Sequence, residues 1–258
     1  MSLNNGGDLR SLSKSFQVAN WPETACPSCY RGALSLADSK SLQTVESLSS
    51  RANRDHEGWE PEWLHGTFHA ELTCDRSQCG QVVIVSGDWE TMTEKLDSEG
   101  WDGQSYEEVV LPRFFLPSLV LIQPNEKYPN SVRELVASAS TILWTDPSSA
   151  ANRLRTAIEE LLTLQRVRKT TTAGKRMTTH ARIVEFEKKR PEPAKFLMSV
   201  KWIGNTGSHE DSLTAPDVVD AADLLDHALA LIYDTRPQQL AKKADAINKR
   251  KGLPRKKK

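Results

Sequence analysis

The sequence predicts an α+β protein: a small N-terminal β zinc ribbon followed by an all-α helical bundle. Three observations carry that expectation. All four cysteines fall in the first third, as Cys26-Pro-Ser-Cys29 and Cys74-Asp-Arg-Ser-Gln-Cys79. Short apolar runs, Phe68 to Thr73 and Gln81 to Ser86, flank the second pair as strands flank a metal knuckle. After Asn130, apolar residues recur at helical spacing with capping signals between the runs.

The cysteine spacings C-x2-C and C-x4-C lie within the range of structural zinc sites. Each loop offers a thiolate pair to one tetrahedral ion, and Gly32 and Gly80 let the turns tighten. The rival readings are two disulfides, a redox C-x-x-C or four unrelated thiols. A reducing cytosol disfavours disulfides, and a second matching pair argues against an isolated redox motif. Four thiolates fill the coordination sphere, so Cys26, Cys29, Cys74 and Cys79 point to a structural Zn2+ rather than a catalytic one. His56, His65 and His69, between the pairs, read as surface histidines.

Composition divides the chain into four segments. Residues 1–104 form the ribbon-like module, with a polar insertion of low order from Ser39 to Glu62. Residues 105–129 read as a proline-rich extended connector, since Pro112, Pro117, Pro124 and Pro129 remove donors and fix φ. Residues 130–236 are the bundle, and residues 237–258 a basic C-terminal tail. Within the bundle, Ser131-Val-Arg-Glu134 resembles a capping box opening a helix to about Trp144. Asp146-Pro147 starts the next, with Ala150, Leu154, Ala157, Ile158, Leu161 and Leu162 on one face. Thr178 caps a third helix, Phe196 to Ile203 form a short one ending at Gly204, and Thr214-Ala-Pro-Asp217 caps the longest.

Lys and Arg balance Asp and Glu overall, 34 against 34, but not locally. Residues 241–258 hold nine Lys or Arg and one acid, Asp245, giving +8 and leaving −8 on the rest. Lys249, Arg250, Lys251, Arg255, Lys256, Lys257 and Lys258 can neutralise the phosphates of RNA or DNA, or serve as a solvated tail. The N-terminus lacks a secretory pattern and no run suits a membrane span, which places the protein in the cytoplasm, away from membranes.

The segment Lys201-Trp-Ile-Gly-Asn-Thr-Gly-Ser-His209 gathers two glycines, an amide, a cation and an imidazole between two helices. It suits proton transfer beside a held phosphate, or equally a helix end capped by Asn205 and Lys201. The pattern from Ala151 to Leu162, this segment and the helix start at Asp217 resemble the bacterial domain-of-unknown-function 4145 family over residues 20 to 235. That family is grouped with the HEPN-like helical superfamily and is often encoded beside restriction and phage-defence genes. The resemblance implies a HEPN-like bundle, a homodimer, a partner defence protein such as a nuclease or helicase, and an anti-phage role. Active HEPN proteins are metal-independent ribonucleases with an Arg four to six residues before a His. This chain keeps His209 and Asn205 but has no arginine at that spacing. Lys201, or Arg155 from another helix, would have to replace it, and Arg155 also forms an i, i+4 pair with Glu159.

Overall fold

Antiparallel pairing organises the first half of the chain. The computed structural model describes residues 9–38, 41–95, 104–206 and 213–252. Its strands are β1 (Phe16–Gln17), β2 (Thr24–Ala25), β3 (Ala33–Leu36), β4 (Gln43–Glu46), β5 (His65–Cys74), β6 (Val82–Lys95) and β7 (Gln104–Leu116). They form one sheet in the order β1-β7-β6-β5-β3-β2, with β4 and β3 lying end to end along one edge of β5. Alternation fixes the inner face: Phe68, Ala70, Leu72 and Cys74 of β5 are buried, and the residues between them are not.

This sheet is larger than a zinc ribbon. Residues 105–116, expected as the start of the connector, are extended but pair along the length of β6. Pro112 is accommodated where the register shifts between Ser86 and Gly87, because a bulge spares the donor that proline lacks. Gly87 is required there, since a Cβ would lie 2.1 Å from the Leu111 carbonyl oxygen. The insertion from Ser39 to Glu62 is also structured. It contains β4 and α1 (Leu48–Ala52), capped by Ser47 and held by an Arg54–Glu46 ion pair of 2.7 Å.

Among the described residues six further helices follow: α2 (Asn130–Ile142), α3 (Pro147–Leu164), α4 (Thr179–Glu187), α5 (Pro191–Thr206), α6 (Ala215–Tyr233) and α7 (Arg236–Arg250). Asp146 accepts from the Ser149 amide, Thr178 from the Ala181 amide, and Thr214 with Asp217 closes a capping box, as their spacing predicts. The predicted face of α3 is buried at all six positions. Ser131-Val-Arg-Glu134 does not cap α2. Pro129 occupies the N-cap, and the Ser131 hydroxyl donates instead to Glu160 of α3 at 2.9 Å. Nor does α5 stop at Gly204. One glycine costs a helix only about 1 kcal/mol, and a Cβ at Gly204 would make only ordinary contact with α3, 3.6 Å from Ala151 O and 3.8 Å from Arg155 Cβ.

The sheet is not separate from the bundle. One continuous core runs from Phe68, Leu72 and Val85 of the sheet to Leu154, Ile158, Leu197 and Leu225 of the helices. Phe115 of β7 meets Trp144 with ring centroids 5.4 Å apart, and Arg10 pairs with Asp220 and Asp223 of α6. The expected tail is helical to Arg250, and α7 is exposed along nearly all of its described length. Among the described residues no helix is long and apolar enough to cross a membrane.

Candidate metal centre and basic surface

The pairing of β3 with β5 sets Leu34 opposite Cys74 and brings two tight turns together. In the first, the Cys26 amide donates to Gly32 O at 2.8 Å and the Tyr30 amide to Cys26 O at 3.0 Å. In the second, the amides of Cys79 and Gly80 both donate to Arg76 O, at 2.8 and 3.0 Å. The residue after the last cysteine of each turn adopts a left-handed backbone, Tyr30 at φ 55° and Gly80 at φ 59°. Sequence reasoning gave that task to Gly32 in the first turn; Tyr30 performs it.

All four Sγ atoms lie within 4.8 Å of one another. Two of the separations join the two turns, Cys26 to Cys79 at 3.8 Å and Cys29 to Cys74 at 3.7 Å. A tetrahedral ion bound at about 2.3 Å by four sulfurs requires them about 3.8 Å apart, so the donor set fits a metal ion. The cysteines are free thiols in unequal surroundings. Burial pushes Cys74 up to about 12 and raises Cys26 as well. A hydrogen bond from the Arg31 backbone is the main cause that brings Cys29 down to about 6. At neutral pH Cys29 is thus largely thiolate while Cys74 holds its proton, which a metal must displace. Metal affinity therefore strengthens as pH rises through the neutral range.

Gly32 is indispensable for space. A Cβ at that position would stand 2.5 Å from the Cys74 sulfur and 2.6 Å from Asp75 Oδ1. The Gly32→Ala variant should bind metal at least about tenfold more weakly, because one ligand is pushed out of place. Competition with a coloured chelator measures this; unchanged affinity would show that the turn yields without cost.

The helical candidates converge only in part. Lys201 of α5 is buried, its Nζ 3.2 Å from the Trp202 ring centroid, and burial with nearby Arg155 lowers its pKa. Asn205 lies one turn further along α5, where α5 packs on α3 beside Arg155. Glu159 turns away from this group: its Oε1 accepts the Thr179 hydroxyl at 2.5 Å. His209 lies outside the described residues, as do Arg255, Lys256, Lys257 and Lys258. Lys249, Arg250 and Lys251 close the C-terminal end of α7, where cations complement the helix dipole. Sequence reasoning passed over Arg182 of α4. It occupies an inward position of the helix beside Ile183 and Phe186, and a cation on an apolar face is the signal that would have marked it.

Fold and site together define a two-part protein, an antiparallel sheet carrying a cluster of four cysteines able to hold a metal ion and a helical bundle packed against it. Residues 14–115 match the family described as Domain of unknown function (DUF8608), and residues 137–250 match Domain of unknown function (DUF4145). The first match ends within β7 and the second begins within α2, so the two follow the sheet and the bundle. The resemblance read over residues 20 to 235 therefore holds for the helical half, while the sheet matches a different family. No curated protein and no solved structure matches the chain.

Proposed function

We propose that this chain is a zinc-stabilised, nucleic-acid-linked binding or regulatory module with a role in anti-phage, restriction-linked defence, acting as a homodimer. The observation that carries the reading is α7. It presents Lys242, Lys243, Lys249, Arg250 and Lys251 on an exposed helix, while the rest of the chain bears net negative charge. Such a helix tracks a phosphate backbone without reading bases. The four-sulfur spacing supports zinc as the ion, and the kinship of the bundle supports the HEPN-like fold, the cytoplasmic setting, the dimer and the defence role. Binding of labelled RNA and DNA by the full chain and by a variant lacking residues 241–258, across a range of salt, tests the proposal.

One observation favours a second reading, a metal-independent ribonuclease. α5 packs on α3 at Gly204, Arg155 lies near enough to act on the charge of Lys201, and Asn205 follows Lys201 by one helical turn. Arg155 then stands in for the arginine missing from the local motif, and His209 supplies the imidazole. On this reading the purified protein cuts single-stranded RNA in chelator, leaving cyclic phosphate ends, and His209→Ala abolishes the cleavage. Cleavage that survives the substitution, or none with any RNA, removes it.

A further inference from the structure

Arg182 is an anomaly in the bundle. Its side chain is only 5% exposed, yet its guanidinium bonds exclusively to neutral oxygens. Nη1 donates to Glu159 O at 3.0 Å, and Nη2 to Thr163 Oγ1 at 2.9 Å and Val167 O at 3.3 Å. Nε is buried without a partner; no ion pair to the guanidinium forms among the described residues, and the charges that reach it are those of Glu159, Glu160 and Arg176. A buried charge in that condition is costly unless something else answers it.

Beside it lies a cavity of about 220 Å3 between α2, α3, α4 and the 169–177 turn. Lys169 and Arg176 stand on its rim with their side chains exposed, adding two cations to that of Arg182. Glu159 and Glu160 form the opposite pole. Each has one oxygen taken by a hydroxyl, Thr179 for Glu159 and Ser131 for Glu160, which leaves the other available. Leu135 and Met177 supply apolar wall. The cavity is therefore bipolar, with a cationic side, a carboxylate side and a small greasy surface.

We propose that this cavity binds a small zwitterion of the α-amino acid class. The ligand's carboxylate meets Lys169 and Arg176 on the rim, above the buried charge of Arg182, and its ammonium meets Glu159 and Glu160. A simple anion would face two carboxylates unanswered, and a simple amine three cations. Size agrees: if about 150 Å3 holds benzene, this volume holds about nine non-hydrogen atoms, the size of valine or leucine. A nucleotide is more than twice that. The assignment does not depend on the nucleic-acid reading, since neither α7 nor His209 takes part.

Calorimetric titration of the full chain with L-valine, L-leucine and the other protein amino acids tests it. At least one should bind with a Kd below about 1 mM. Isobutylamine and isovalerate, which lack the carboxylate and the ammonium respectively, should bind at least about tenfold more weakly. Lys169→Ala, at an exposed position, and the isosteric Glu160→Gln should each weaken amino-acid binding by a similar factor. No heat with any amino acid would overturn the proposal. So would isovalerate or inorganic phosphate binding as tightly as the amino acid and unaffected by Glu160→Gln, since that would make the cavity a plain anion site.

Discussion

Replacing Cys74 with Ser should strip the metal and unfasten the edge of the sheet at which β2, β3 and the start of β6 meet. Cys74 is buried, contributes one of the four clustered sulfurs and faces Leu34 across the β3–β5 pair. Loss of a thiolate leaves a three-sulfur site and two turns joined only by the β3–β5 pairing and the hydrogen bonds between Ala33 and Asp75. Loss of a structural metal belongs to the few single changes that cost more than about 4 kcal/mol. Metal analysis should fall from about one equivalent to near zero. Hydrogen exchange should accelerate in residues 24–36 and 72–82, with α3 and α6 affected less because their own apolar faces pack against each other. Strong chelator should have the same effect on the unaltered chain. If thermal stability and exchange are indifferent to chelator, the four cysteines are not a structural metal site.

Deleting residues 241–258 should reduce nucleic-acid affinity by about a thousandfold at 50 mM salt and flatten its salt dependence. The deleted segment holds nine Lys or Arg against Asp245. If about six of them neutralise phosphates, log affinity falls against log salt with a slope near −5 for duplex DNA, and most of that slope disappears with the segment. Remaining body charge of −8 then repels the polyanion. Electrophoretic mobility shifts at several salt concentrations read both quantities. A deletion that binds as tightly as the full chain, with the same slope, would move the interface away from α7 and leave the basic segment as a solubilising end.

The clustering of the four cysteines was legible in the sequence because its grammar is local. Two short cysteine spacings name the ligands, and each turn is built by neighbours in the chain. The face of α3 was legible for the same reason, since Ala150, Leu154, Ala157, Ile158, Leu161 and Leu162 repeat with the helical period. What failed depended on residues far away. Pro112 reads as a strand breaker until β6 provides a bulge opposite it, and Gly204 reads as a helix end until α5 is seen to run on to Thr206 packed against α3. Ser131 looks like a cap until Glu160 of α3 competes for its hydroxyl.

By itself the sequence determined the four sulfur ligands, the helical period of the second half and the concentration of positive charge at its end. Those follow from residue type and spacing, which act over a few bonds or a few turns. Tertiary structure alone decided that the sheet has seven strands rather than a ribbon's few, that sheet and helices share a core, and that Arg182 is buried beside a bipolar cavity. Strand partners, shared cores and the burial of a charge are set by long-range packing, where segments distant in sequence compete for the same surface.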